Sequence, residues 1–184
     1  AIVKQRQRMK NLINDLNLAS KLEYNMQPTH IEQMNVISAV RQVVVDFINL
    51  DIGGKYPIEW LTDSDFNTLI INADKDLIKR AVSNLIQNSI NHNENGCTIY
   101  VAVKEEYSKI CKIVVSDNGV GATDEQIDKL NNSPHYMVCD ENTSEQRHGL
   151  GLLIVKQIAA AHKGTVEIGH SEYGGLEVKI CLPL

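Results

Sequence analysis

Three short segments of this chain carry residue types that could together bind a nucleotide. They are residues 84–88 (NLIQN), 117–121 (DNGVG) and 147–152 (RHGLGL). Amide oxygens can ligate Mg²⁺, a carboxylate can accept a hydrogen bond from a base amine, and the backbone N–H groups of a glycine-rich turn can bind phosphate. Each segment is a common pattern by itself. Their order, with the first in a helical pattern, the second after a strand and the third opening a helix, predicts one shared pocket.

The first segment lies on a predicted helix whose polar residues share one face. At spacings of three and four residues, this stripe consists of Arg80, Asn84, Asn88 and Asn91. The opposite face is predicted to be core and consists of Leu77, Ile78, Ala81, Val82, Leu85 and Ile86. Asparagine is a poor residue in the middle of a helix, so its repetition on one face needs a reason, and Mg²⁺ ligation by the amide oxygens would supply one. A solvated polar face is the alternative for this helix taken alone.

The second segment begins with Asp117, which follows the apolar run 113–115 and should end a buried strand. A carboxylate there accepts a hydrogen bond from the exocyclic amine of adenine, whereas guanine presents a carbonyl, so the site would prefer ATP. Gly119 and Gly121 have no Cβ and would let the backbone pass close to a planar base. The alternative is an ordinary turn between two elements.

The third segment places Gly149, Leu150 and Gly151 before an apolar-periodic helix that begins near Leu152. Backbone N–H groups at a glycine-rich turn and helix N-terminus favour anions, which suits a triphosphate. A helix entry with tight packing is the alternative.

Composition limits the remaining functions. At 184 residues, with 43% hydrophobic residues, the chain is large enough for one domain and a short extension. A net charge of −5 argues against nucleic acid as a partner, and the apolar runs are too short to span a bilayer. The chain starts at Ala1 within a helical pattern, so we expect a fragment of a longer protein. Its four cysteines (Cys97, Cys111, Cys139 and Cys181) lack zinc-ligand spacing and are expected to be reduced and structural.

The elements that must position these segments alternate between helix and strand. Residues 1–24 form an amphipathic helix that Pro28 ends, and because nothing nearby pairs with its apolar stripe we expect a partner helix outside the chain. Strands are predicted at 30–34, 58–61, 68–73, 98–105, 112–116, 165–169 and 176–182; helices are predicted after Asn35, from Asp74 to about Asn93, and at 124–130 and 152–162. This order predicts an α/β (α+β) fold, a two-layer α/β sandwich with helices on one face of one mixed sheet.

These motifs resemble the N box and the two glycine boxes of the histidine kinase ATP-binding domain, in the superfamily shared with gyrase, MutL and the heat-shock-90 chaperones. The resemblance covers residues 28–184, with further similarity at 156–158 and 162–164. It implies the Bergerat ATP-binding fold. Residues 1–26 resemble the second helix of the family's dimerisation and phosphoacceptor hairpin.

The resemblance also implies residue roles. Asn88 would bind Mg²⁺ with the support of Asn84, and both would be catalytic; Asp117 would hold the adenine amino group. Residues 122–148 would be the ATP lid. The further cofactor-binding residues would be Asn91, His92, Gly119, Gly121, Arg147, His148, Gly149, Leu150 and Gly151.

One residue separates the branches of the superfamily. The ATPase branches, and the branches that phosphorylate serine or are related to the dehydrogenase kinases, carry a Glu general base where this chain has Asn84. An amide there fits a kinase whose acceptor is an imidazole on another domain. Asn91 and His92 replace the family's usual Lys and Tyr, and the Phe-containing box of the lid is absent; Arg147 could supply the lost cation, and Tyr136 or Met137 the packing. A superfamily ATPase and a degenerate interaction module are the alternatives.

The acceptor histidine is expected elsewhere. The six histidines are His30, His92, His135, His148, His162 and His170, and none lies in the family's acceptor pattern. We therefore expect Mg·ATP binding without autophosphorylation. The implied partners are a histidine-bearing dimerisation domain and the receiver domain of a response regulator. The full-length protein is expected to be a homodimer that can be anchored in the cell membrane, and this part of it a cytoplasmic domain without membrane contact.

Overall fold

The computed structural model describes residues 2–51, 53–133 and 150–184. The elements in this part of the chain are α1 (Ile2–Glu23), β1 (Glu32–Asn35), α2 (Val36–Leu50), β2 (Ile58–Trp60), β3 (Ile70–Ala73), α3 (Lys75–His92), β4 (Ile99–Glu106), β5 (Ile110–Asp117), α4 (Asp124–Asn132), α5 (Leu150–Ala161), β6 (Thr165–His170) and β7 (Leu176–Pro183). Every element predicted from the sequence is present. The bounds differ by one or two residues at most ends, as is usual where helices and strands fray.

Five strands form one mixed sheet in the order β2-β4-β5-β7-β6. β2 pairs in parallel with β4, and the other neighbours pair antiparallel. The prediction of a mixed α/β sandwich is confirmed. The prediction of a single sheet is wrong, because β1 and β3 form a separate antiparallel pair. The Val36 N–H donates to the Leu69 carbonyl at 3.0 Å, and the Leu69 N–H donates to Oδ1 of Asn35 at 3.2 Å. These two hydrogen bonds hold the end of β1 against the start of β3.

The core lies between one face of the sheet and the helices α2, α3 and α5. In β4, Ile99, Val101 and Val103 alternate with residues on the outer face and are at most 1% exposed. The apolar face predicted for α3 is confirmed, because all six of its residues are buried. Burial of this face turns the polar stripe of α3 away from the sheet.

The start of α3 is fixed by Asp74, as predicted. Its Oδ1 accepts hydrogen bonds from the N–H groups of Asp76 and Leu77, both at 3.1 Å, and its Oδ2 accepts one from His30 at 2.8 Å. Burial raises the pKa of this carboxyl, but these backbone hydrogen bonds outweigh burial and hold the pKa below its usual value. The Asp74 N–H donates to Nε2 of His162 at 3.0 Å. The cap therefore connects α3 to β1 and to the end of α5.

The N-terminal helix α1 packs against α5. Ala19 and Leu22 of α1 join the core, whereas Met9, Ile13 and Leu16 are each more than half exposed. The expectation that the apolar stripe of α1 lacks a partner within the chain is therefore wrong for its last two turns. In a sequence, contact with a helix more than a hundred residues away leaves no local signal.

Two expectations from composition also have structural counterparts. None of the described helices is long and apolar enough to cross a membrane. Cys97, Cys111 and Cys181 are buried free thiols, and burial raises the pKa of Cys97 to about 11 and that of Cys111 to about 12. They are therefore protonated at neutral pH, as unreactive structural cysteines are. Cys139 lies outside the described residues.

Candidate nucleotide-binding site

A cavity of about 510 Å³ lies between α1, α3 and the first turn of α5. This volume falls within the range of small-molecule sites, roughly 300–1,000 Å³. The described residues that line it are Asn11, Leu12, Asp15, Tyr56, Asn84, Gln87, Asn88, Ile90, Asn91, His92, Glu94, Leu150 and Gly151. The structure thus brings six of the residues singled out in the sequence, four from α3 and two from α5, onto one cavity.

The polar stripe of α3 contacts α1 at one end and α5 further along. Arg80 forms an ion pair with Asp15 of α1. One turn later, Nδ2 of Asn84 donates to the carbonyl oxygen of Gly151 at 3.4 Å. Oδ1 of Asn88 faces the same glycine, since a Cβ added to Gly151 would lie 3.1 Å from it. The amides therefore meet the backbone of the α5 turn, where anions are favoured.

The remaining residues of the third segment fall outside the described part of the chain. These are Arg147, His148 and Gly149, together with Tyr136, Met137 and most of the predicted lid. The described start of the predicted lid contains α4, whose N-terminus has a capping box formed by Thr123 and Gln126. The Asn131 side chain donates to the Ile168 carbonyl at 2.9 Å and accepts from the Ile168 N–H at 3.0 Å. These contacts fix α4 against β6.

Asp117 ends β5, as predicted, and is 4% exposed. Its Oδ2 accepts a hydrogen bond from the Ser89 hydroxyl at 2.8 Å, and its Oδ1 accepts from the N–H groups of Gly119 at 2.9 Å and Leu176 at 3.4 Å. Asp117 is not among the residues that line the cavity described above; it contacts Ser89, the residue after Asn88 on α3. A carboxylate has about four lone-pair positions, so three donors within the described residues leave about one for a ligand.

Glycine is favoured at positions 119 and 121, after Asp117, for two different structural reasons. A Cβ on Gly119 would lie 1.9 Å from Oδ1 of Asn93, so the close approach that this glycine permits is made by a protein side chain. The close approach of a base to Gly119 stays a prediction. Gly121 has φ +64°, a left-handed conformation that favours glycine.

Several residues of the site were missed in the sequence. Ser89 holds Asp117, Asn93 packs on Gly119, and a Cβ on Gly175 would lie 2.0 Å from Oδ1 of Asp117. Tyr56 lines the cavity, and its hydroxyl donates to the Asn93 carbonyl at 3.1 Å. Only Ser89 and Asn93 carried a local signal, as polar residues next to the Asn stripe. The others depend on contacts between distant segments.

Comparison with known proteins gives a family match over residues 73–184, to the model described as histidine kinase-, DNA gyrase B-, and HSP90-like ATPase. Sporulation kinase B of Bacillus subtilis is 31% identical over 173 residues, which cover 94% of this chain and 37% of that protein. Histidine kinase P4 of Formosa agariphila is 30% identical over 179 residues, covering 94% of this chain and 13% of that protein. The chain thus spans well under half the length of these curated relatives.

Solved structures show the same fold. The Acinetobacter baumannii histidine kinase AdeS superposes with a TM-score of 0.73 at 21% identity, over 98% of this chain and 81% of that one. Full-length ShkA in complex with AMPPNP superposes with a TM-score of 0.79 at 19% identity, over 98% of this chain and 36% of that one. The similarity in fold therefore extends through α1 as well as the α/β sandwich.

Proposed function

The chain belongs to the family of histidine kinase-, DNA gyrase B- and HSP90-like ATPases, and on this premise we propose that it is the ATP-binding catalytic part of a two-component sensor histidine kinase. The observation that carries the proposal is the convergence of the α3 amides and the α5 turn on one cavity. In this proposal residues 28–184 are the catalytic domain and residues 122–148 its ATP lid. Residues 1–26 are the second helix of a dimerisation and phosphoacceptor hairpin.

The charge of the cavity supports a requirement for Mg²⁺. No lysine or arginine is among its described lining residues, while two acidic residues are: Glu94, and Asp15, which is paired with Arg80 beside the cavity. A triphosphate bound there therefore needs a cation, and an uncharged amide oxygen is a suitable Mg²⁺ ligand. We assign this role to Asn88, with Asn84 supporting it from the preceding turn. Bound Mg²⁺ would neutralise the charge that develops on the phosphate oxygens during transfer.

We assign binding of the adenine amino group to Asp117, and Gly119 and Gly121 would shape the loop that follows it. The available lone pair on the carboxylate is suited to the 6-amino group and unsuited to a 6-oxo group. Asn91 and His92, at the end of α3, would line the path between base and phosphates. Arg147, His148, Gly149, Leu150 and Gly151 would lie along the phosphates.

Phosphoryl transfer in this proposal uses an acceptor from another domain. Asn84 donates its amide to Gly151 and provides no carboxylate to act as a general base. His162 is excluded as an acceptor by its burial and by hydrogen bonds at both ring nitrogens, to Asp74 and Ile158. A neutral imidazole is already nucleophilic, so positioning and charge neutralisation suffice. The phosphoryl group would then pass to an aspartate of a response regulator.

A labelling experiment tests this assignment. The chain is incubated with γ-labelled Mg·ATP, alone and together with a separately produced histidine-bearing dimerisation domain from the same full-length protein. We expect acid-labile label on the added domain, none on this chain, and loss of the signal with Asn88→Ala. Acid-labile label on the isolated chain would contradict the proposal. Steady phosphate release without an acceptor would instead assign an ATPase.

The whole protein is proposed to be a homodimer with its catalytic part in the cytoplasm. The support is the similarity of the chain to histidine kinases along its whole length, α1 included. Sedimentation of the full-length protein at the mass of a monomer under all conditions would contradict this part of the proposal.

A further inference from the structure

We propose that Ser89 and Asn93 are positioning residues that set the preference for adenine by holding the Asp117 carboxylate in one orientation. The inference rests on the proposed function, because it concerns how the assigned adenine acceptor is held. Both residues belong to the last turns of α3 and its C-cap, behind the cavity-lining Asn88.

Ser89 fixes one oxygen of the carboxylate. Its hydroxyl lies 2.8 Å from Oδ2 of Asp117, and the two residues are only 8% and 4% exposed. The hydroxyl is the donor and the carboxylate oxygen the acceptor. The other oxygen is held by the N–H groups of Gly119 and Leu176. The carboxylate is thereby fixed from two sides, and the lone pair that stays available on Oδ2 has a defined direction.

Asn93 fixes the loop that follows. Its Nδ2 donates to the Ser89 carbonyl at 2.8 Å, and its Oδ1 accepts from the Val120 N–H at 2.9 Å. The side chain packs so closely on Gly119 that a Cβ there would lie 1.9 Å from Oδ1. Asn93 is 6% exposed, which limits its movement. The Asn93 amide thus joins Ser89, which binds one oxygen of Asp117, to the loop of Gly119 and Val120, which binds the other oxygen.

This arrangement has a consequence for specificity. A carboxylate discriminates a 6-amino from a 6-oxo purine only while its lone pair points at that substituent, because hydrogen bonds weaken steeply as their angle departs from linearity. Removing Ser89 or Asn93 frees the carboxylate to rotate or the loop to shift. The contacts of the α3 amides with the triphosphate would remain. Each substitution should therefore reduce the preference for adenine over a 6-oxo purine and leave phosphate binding unchanged.

The test measures Kd for Mg·ATP and for Mg·ITP, whose base carries a 6-oxo group, on the native chain, Ser89→Ala and Asn93→Ala. The ratio of the two constants is insensitive to partial unfolding, because the competent fraction divides out. We expect the native chain to prefer ATP, and each variant to lower that preference about tenfold, the scale of one charge-assisted hydrogen bond. The matched control is Asn49→Ala, an exposed position on α2.

The outcomes separate this inference from the proposed function. If both variants weaken ATP and ITP binding equally, the two residues are merely structural and the inference is wrong. If the native chain binds ATP and ITP equally well, the role of Asp117 fails and the inference fails with it. If the native chain binds neither nucleotide, the proposed function itself is contradicted.

Discussion

At the scale of single residues, the proposed phosphate end of the cavity presents the uncharged amides of Asn84 and Asn88. Asn84 and Asn88 are both partly exposed towards it, and both meet the backbone at Gly151. Side-chain amides do not titrate near neutral pH, so Asn84 and Asn88 keep the same donor and acceptor groups throughout the physiological range. The binding of a highly charged ligand then depends on the cation that accompanies it.

Asn88→Ala tests that dependence. Removing the amide oxygen removes a Mg²⁺ ligand, so we expect the affinity for a non-hydrolysable ATP analogue in Mg²⁺ to fall by about tenfold or more. Affinity measured in EDTA should change little, since no metal is bound there. Calorimetric titration under both conditions gives the two values. Asn49→Ala is again the matched control, and an equal loss with and without Mg²⁺ would contradict the assignment.

Gly151→Ala separates binding from stability. An added Cβ would lie 3.1 Å from Oδ1 of Asn88, so the amide must shift by a few tenths of an ångström. Alanine is also the better helix residue by up to about 1 kcal/mol, so the free energy of unfolding should not fall. We expect Mg·nucleotide affinity to drop several-fold while urea unfolding shows equal or higher stability.

The control for that variant is Gly53→Ala, where an added Cβ meets nothing within 4 Å. Gly53→Ala should leave nucleotide affinity at the native value. Unchanged affinity in Gly151→Ala would show that Asn88 does not act at this turn.

Residue spacing predicted the stripe on α3, because helical periodicity places Asn84 and Asn88 on one face whatever they contact. It did not predict Gly175, whose missing Cβ matters only because the β6–β7 turn reaches the Asp117 carboxylate. Nor did it predict that Gly119 packs on Asn93. Contacts of this kind depend on how distant segments come together, and no local pattern records them.

At the scale of elements, α3 positions the site, and its N-terminus is fixed by Asp74. Three backbone N–H groups donate to the Asp74 carboxylate, and the backbone N–H of Asp74 donates to Nε2 of His162. The helix is therefore joined to β1 and to the end of α5 before its polar stripe begins. A weakened cap would loosen the whole stripe.

Asp74→Ala removes this cap and should lower the free energy of unfolding by about 0.5–2 kcal/mol. Asp74→Asn keeps a capping oxygen but has no second oxygen to accept from the His30 N–H. Its free energy of unfolding should therefore fall by less than that of Asp74→Ala. Urea unfolding at neutral pH measures both. Stability of Asp74→Ala equal to the native value would contradict the role of the cap.

The pH dependence of the same residue has a defined sign. The folded-state pKa of Asp74 is lowered below its unfolded value, so its contribution is complete above the unfolded pKa, near 3.9, and is lost as pH falls through the folded pKa. In urea unfolding followed from neutral to acid pH, the native chain should lose stability relative to Asp74→Asn. A constant difference in unfolding free energy between the native chain and Asp74→Asn across this range would contradict the lowered pKa of Asp74.

The elements themselves were largely predictable. The sequence predicted that α2 starts after Asn35 and α3 at Asp74, and it predicted each described strand to within two residues of its ends. The separate β1–β3 pair was not predictable, because strand pairing is decided by partners far apart in the chain. The same holds for the docking of α1.

At the scale of the whole molecule, α1 joins the α/β sandwich through its last turns. Ala19 and Leu22 are buried in the common core, and Asp15 reaches Arg80 beside the cavity. The helix therefore forms one wall of the candidate site as well as an extension of the fold. Its movement would change the shape of the cavity.

Leu22→Ala tests this docking. Leu22 is 9% exposed, so truncation should cost about 2–5 kcal/mol of unfolding free energy, as for other buried leucines. Leu16→Ala in the same helix, where the side chain is 54% exposed, should cost no more than about 0.5 kcal/mol. Urea unfolding of the two variants checks the difference. Equal, small losses would show that α1 does not pack on α5 in solution.

The central claim is that the α3 amides, the Asp117 carboxylate and the α5 turn bind one ATP molecule. Calorimetric titration of the native chain and of Asp117→Asn with a non-hydrolysable ATP analogue, each with and without Mg²⁺, tests it most directly. We predict one nucleotide per chain, tighter binding with Mg²⁺, and at least about a tenfold loss in Asp117→Asn, whose amide presents a donor to the 6-amino group. No binding by the native chain, or binding that neither Mg²⁺ nor Asp117→Asn alters, would contradict it.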